Sequence, residues 1–177
     1  MRITAALCLA VLWAASAAHP AGGLSGRRAP GFALPDRNMQ FHDLADHRGK
    51  VVLLDVMVTN CPNCRTLAQT LEKLKAAYGD KIAVLSVVNP PDNHNTTAAF
   101  IQEMKITSPI LFDCGQMAGS YLKPDPKNPR IHVPHLFVID KEGMIRHDFG
   151  HTEKAIFEGK GLPEIIDKLL AEQKTKQ

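Results

Sequence analysis

Residues 50–58, KVVLLDVMV, constrain this chain more than any other stretch. A nearly continuous run of β-branched and aliphatic side chains suits a strand covered on both faces, and such strands belong to sheets with helices on each side. The residues after it fix the connection. Leu67, Leu71, Leu74 and Tyr78 recur at helical spacing, and Gly79 stops the pattern. Pro62 falls where a helix start tolerates a missing N–H. A second apolar run, residues 81–89 (KIAVLSVVN), completes a strand–helix–strand unit.

The alternation continues downstream. Phe100, Ile101 and Met104, after the polar NHNTT, predict a short helix, and PILFD (109–113) a strand. A short helix is expected over 114–121, then a Pro-punctuated loop, KPDPKNPR, over 123–130. HLFVID (135–140) and GMIRHDFG (143–150) flank Lys141-Glu142 as a hairpin. Leu162, Ile165, Ile166, Leu169 and Leu170 form one face of a closing helix with Pro163 in its first turn. The expected architecture is α/β: one mixed central sheet flanked by helices, parallel crossovers first and an antiparallel hairpin last. With 177 residues, 45% of them hydrophobic, there is room for one real core. A formal charge of +3, scattered and with no basic run longer than Arg27-Arg28, gives no footprint for nucleic acid.

Residues 1–18, MRITAALCLAVLWAASAA, differ in kind. One Arg, an apolar stretch and a small-residue end at Ser16-Ala17-Ala18 predict an export signal cleaved before His19. The alternative is an uncleaved anchor, although the apolar stretch is short of the ~20 residues that span a bilayer. After cleavage no stable membrane insertion is expected, and the domain runs over 24–173. Cys8 leaves with the signal, so the mature chain keeps Cys61, Cys64 and Cys114. In an oxidising compartment that odd number reads as one reactive pair plus an extra thiol.

The pair, Cys61-Pro62-Asn63-Cys64, lies at the strand-to-helix turn. A cysteine at a helix start meets unpaired backbone N–H groups and the positive end of the dipole, and both favour thiolate, the nucleophilic form. Cys61 holds that place. Cys64, one turn inward, can reach back to resolve a mixed disulfide on Cys61. Arg65 adds a positive charge of undetermined direction. Asp55 sits amid the apolar strand. It is either a buried proton acceptor for Cys64 or an acid at a bend bonded to a backbone donor. Pro134 opens the strand of VPHLFVID, where it cannot donate to a ladder; its bond to Val133 could be cis or an ordinary trans one.

Together these residues resemble the thioredoxin superfamily, in particular the exported TlpA/ResA-like thiol–disulfide oxidoreductases. The likeness runs from Ala29 to Lys168, through APGFALPD, LADHRGKVVLLDV, CPNC, VPHLFVID and IDKEGMI in order. It implies a thioredoxin-like fold with an N-terminal β extension and a helix–strand insertion over 95–113. It implies Cys61 as attacking thiol, Cys64 as resolving thiol, and Pro134 shaping a substrate groove that Asn60, Pro62, Asn63 and Val133 line. Asp55 matches the buried acid of thioredoxin. No bound cofactor is implied. The partners implied are client proteins with thiols or disulfides and a redox protein that donates or accepts electrons, with a reductase placed ahead of an oxidase. Three positions depart from the pattern: Asn60 and Met57 where Trp is usual, and Leu67 where some relatives carry an acid. Cys114 and the loop over 123–132 have no counterpart; free Cys is among the most buried residue types, and Phe112, Met117 and Leu122 near Cys114 suggest that it packs as a small buried hydrophobe.

Rival readings remain. A thiol peroxidase of this fold would carry Pro and a hydroxyl residue where Leu54 and Val58 stand. A copper-binding protein could use Cys61, Cys64 and His135, with His132 nearby; against it, both histidines suit the polar rim of a groove. His42, His47, His94, His147 and His151 show no ligand spacing. A structural staple is the weakest reading, since so small a loop constrains little entropy.

Overall fold

The computed structural model describes residues 23–127 and 129–172. The export signal and Cys8 lie outside the described residues. The elements in chain order are β1 (Ala33–Pro35), β2 (Phe41–Asp43), β3 (Val51–Met57), α1 (Pro62–Tyr78), β4 (Ile82–Val88), α2 (His94–Met104), β5 (Ile110–Phe112), α3 (Gln116–Leu122), β6 (His135–Ile139), β7 (Ile145–Phe149), α4 (Lys154–Phe157) and α5 (Leu162–Ala171).

β3 is central because every one of its side chains is buried, as a nearly continuous apolar run requires. The five-stranded sheet has the order β5-β4-β3-β6-β7. β4 pairs parallel to β3, with Val51 opposite Ile82 and Met57 opposite Val88, and β5 pairs parallel to β4. β6 runs antiparallel to β3, with Val56 opposite His135, and β7 antiparallel to β6. The predicted mixed sheet, with crossovers first and hairpin last, is present.

Alternation along β3 divides the core. Val51 and Leu53 pack with Leu67, Leu71, Ile156 and Ile166 of the helices on one face. Val52, Leu54 and Val56 pack on the other with Tyr121 and Phe137, whose rings meet edge to face at 5.2 Å. Each such side chain fully buried contributes about 1.5–3 kcal/mol. A third group, Met57, Cys64, Ala68, Val88, Phe100 and Ile110, lies under α2.

The N-terminal extension is built as expected, with β1 and β2 forming a separate antiparallel hairpin. Residues before it run along the outer side of β7. Gly26 and Ala29 donate their N–H groups to Ile145 and Gly143 at 2.8 and 2.9 Å, and Ile145 N–H donates to Arg27 O at 2.8 Å. Leu24, Phe32 and Leu34 pack on the Tyr121–Phe137 face, and Asp36 then bridges to Leu111 of β5. One segment therefore lies against both outer strands of the sheet.

Two expectations change. The helix expected over 114–121 starts at Gln116, because Asp113 accepts from Met117 and Ala118 N–H at 3.1 and 2.9 Å and Gly115 turns at φ +101°. That turn leaves Cys114 exposed. Of the apolar residues around it in sequence, Phe112 packs with Met57 and Phe100, and Met117 and Leu122 pack on the Tyr121–Phe137 face. The four-residue α4 was not foreseen.

Candidate active site

β3 delivers the chain to the site, and its last turn is tied from a distance. Thr59 donates its backbone N–H to Asp92 Oδ2 at 2.8 Å and its hydroxyl to Asp92 Oδ1. Cys61 then takes the extended backbone of a helix cap, φ −117° and ψ 121°, with Pro62 as first residue of α1. Its Sγ accepts the Cys64 N–H at 3.2 Å. Sulfur therefore stands where a capping oxygen usually does, in the field of the helix start.

The two thiols differ sharply. Cys61 is half-buried, whereas Cys64 has no exposed surface. Burial first, then a hydrogen bond with Cys61, pushes the Cys64 thiol far above the usual range, while a backbone hydrogen bond with Val58 opposes this. The nearby Asp55 carboxylate adds to the rise. Cys64 thus holds its proton until something removes it.

Asp55 shares the sheet face of Leu53 and Met57, the face that α1 covers. It is wholly buried, and neither carboxylate oxygen has a hydrogen-bond partner among the described residues. The backbone donor that the milder reading required is absent there. Desolvation raises its pKa from 3.8 to about 8. A carboxyl that titrates near neutrality beside a thiol that resists ionisation can exchange that thiol's proton.

The Val133–Pro134 bond is cis, and Val133 O lies 4.0 Å from Cys61 Sγ. The loop before β6 therefore faces Cys61. Pro134 is buried and Val133 half-buried beside it. Asn60 and Pro62 are exposed and Asn63 half-exposed around Cys61. Cys61, Cys64, Asp55, Val133 and Pro134 are brought into one place.

Two other residues point away. Arg65 pairs with Glu103, and its guanidinium lies 5.5 Å from the centre of the Phe100 ring. Its charge is directed to α2. His135 shares the sheet face of Val56 and Phe137, stacks on Phe137 at 4.6 Å, and sets Nε2 3.5 Å from Asp148 Oδ1. That distance is an ion-pair separation, not a formed hydrogen bond. Burial lowers the His135 pKa, and Asp148 opposes the fall. Cys64 packs on the opposite face, so the copper set of Cys61, Cys64 and His135 is not assembled. Among the described residues no three His, Cys, Asp or Glu side chains are grouped to hold a metal ion.

Sequence reasoning missed the Thr59–Asp92 tie and the stacking of His132 on His151 at 4.5 Å. The first joins residues far apart in sequence, and neither leaves a periodic signal.

The AhpC/TSA family model matches residues 25–148. The thioredoxin-like protein YneN of Bacillus subtilis is 30% identical over 68% of this chain and 68% of its own. The thiol-disulfide oxidoreductase ResA of Geobacillus kaustophilus is 27% identical over 68% of this chain and 66% of its own. The chain thus spans about two thirds of the length of these relatives. Among solved structures, a thiol:disulfide interchange protein of the thioredoxin family from Chlorobium tepidum superposes with a TM-score of 0.68. It is 17% identical and covers 82% of this chain and 97% of its own, a likeness of fold.

Proposed function

The chain belongs to the AhpC/TSA family, within the thioredoxin superfamily, and on that premise we propose that it is an exported thiol–disulfide oxidoreductase working through Cys61 and Cys64. The observation that carries the reading is the Cys61 Sγ capping α1, 3.2 Å from the Cys64 N–H, above a buried Cys64 thiol and a buried Asp55.

The Cys61 thiolate attacks one sulfur of a client disulfide. That S–S bond breaks, a Cys61–client bond forms, and the second client sulfur leaves as thiolate and takes a proton from water. Cys64 then gives its proton to Asp55 and attacks Cys61 Sγ. The Cys61–Cys64 bond forms as the mixed bond breaks, and the first client sulfur departs as thiolate and is protonated. The client gains two electrons, and the protein's pair is oxidised by two. A redox partner protein with a reactive dithiol returns it to the reduced state. Reduction of the client is the direction proposed, and the reduction potential tests it. A value near the thioredoxin end, about −270 mV, supports a reductase, and one near about −120 mV a disulfide donor.

The test of the exchange itself is chemical. Brief alkylation of the reduced protein near neutral pH should label Cys61 ahead of Cys64. Cys64→Ser should accumulate a mixed disulfide with a peptide disulfide, and Cys61→Ser none. Preferential label on Cys64, or no trapped species in either variant, would overturn the assignment. A thiol peroxidase is less supported, because Leu54 and Val58 occupy the places of its Pro and hydroxyl residue. Peroxide consumption faster than peptide-disulfide exchange would favour it instead.

Export is proposed from residues 1–18. No described helix is long and apolar enough to cross a membrane. Mass spectrometry of the secreted-fraction protein, expected to begin at His19, checks it.

A further inference from the structure

The loop that faces Cys61 also walls a second cavity, and its lining differs from the groove. A space of about 230 Å³ is bounded by Arg130, His132, His135 and His151 together with apolar Leu24 and Ile131. His132 is the residue before Val133, whose carbonyl lies 4.0 Å from Cys61 Sγ. The cavity therefore begins one residue along the chain from the carbonyl that faces Cys61. Its open side offers donors and positive charge: an Arg guanidinium, always cationic, and the stacked rings of His132 and His151 at 4.5 Å. The acid at its back, Asp148, is already engaged. It accepts from Leu24 N–H at 3.1 Å and the Ser25 hydroxyl at 2.7 Å, and it lies 3.5 Å from His135 Nε2.

A cation would meet Arg130 in such a cavity, so a metal does not fit. A carboxylate does, because Arg presents paired donors of matching geometry and imidazoles add further N–H donors. An extended client peptide advances ~3.3 Å per residue, so with its cysteine held at Cys61 a side chain two or three positions away lies ~7–10 Å along the loop that walls the cavity. We propose that this cavity is a specificity subsite that accepts an acidic side chain of the client near its reactive cysteine, with Arg130 and His132 as its principal donors. The inference rests on the oxidoreductase reading and names its client class.

The experiment uses the reduced mature protein and three peptide disulfides that differ only in carrying Glu, Gln or Lys at the second and third positions on both sides of the cysteine. Single-turnover rates of mixed-disulfide formation are measured at low ionic strength. The Glu peptide should react about five- to tenfold faster than the Gln peptide, and the Lys peptide slower still, as electrostatic complementarity acts on encounter and register. Arg130→Gln combined with His132→Gln should bring the three rates within about twofold of one another. Raising the salt should shrink the wild-type preference. Equal rates for the three peptides with the wild type, or a preference unchanged in the double variant, would overturn the subsite. No reaction with any of the three would overturn the oxidoreductase reading itself.

Discussion

Asp55 is an acid with no exposed surface and, among the described residues, no hydrogen-bond partner for either oxygen. Its carboxyl is raised from 3.8 to about 8 by desolvation. Between those values the unfolded chain has lost this proton while the folded chain keeps it, so the group's contribution is fully present below about pH 4 and is lost as pH rises through about 8. Asp55→Asn removes that loss. Its stability relative to wild type should rise from pH 4 to 8 with a slope of up to about 1.4 kcal/mol per pH unit, then level off. Urea melts across that range check it, and a pH-independent difference would show that Asp55 does not titrate. The same variant should prolong the mixed disulfide about a hundredfold or more, the range of about 10²–10⁴ typical of a lost general base. Cys114, exposed on its turn, calls for the opposite expectation. Cys114→Ala should leave exchange rates within twofold and stability within about 0.5 kcal/mol, as surface substitutions do. Brief alkylation should label Cys114 in the folded protein. Free Cys is usually buried, which is why the sequence pointed inward; the cap by Asp113 that turns it outward depends on backbone geometry.

α1 does two jobs with two faces of one helix. Its start holds Cys61, and Leu67 and Leu71 anchor it to β3, β6 and the C-terminal helices. Leu71→Ala should cost about 2–5 kcal/mol by leaving a cavity in that layer, measured by denaturant titration. Below the unfolding transition Cys61 should still be labelled ahead of Cys64, since the cap is made at the other end. This strand–helix–strand unit was the most legible part of the chain, because a doubly buried strand and a one-sided helix have different apolar periods. The pair at its turn was equally plain. The hairpin and α5 came from the same patterning. α4 is too short to show a period. The direction of Arg65 depended on Glu103 and Phe100, which only the fold brings near. His135 stands close to Pro134 in sequence, yet strand alternation sends it to the far face, and that defeated the copper set.

Across the whole molecule, one short N-terminal segment lies along β7 and bridges to β5. Unpaired outer strands invite pairing with other chains, and covering them is a way to prevent it. A chain begun at Gly31 loses three backbone hydrogen bonds to the β7 side. At about 1 kcal/mol each, that should cost roughly 3 kcal/mol and lower the Tm. Light scattering should show concentration-dependent assembly, where the longer chain stays dispersed; a dispersed truncated chain would show that the covering has no such role.

That segment also sets an order of events. Residues 26–29 find their partners only at residues 143–145, more than a hundred positions later. Contacts so distant in sequence are slow to close. A nascent chain cannot complete this fold until residue 145 has been made. Up to that point the sheet is unclosed, the condition in which a chain can be passed end-first through a narrow channel and then close its sheet on the other side.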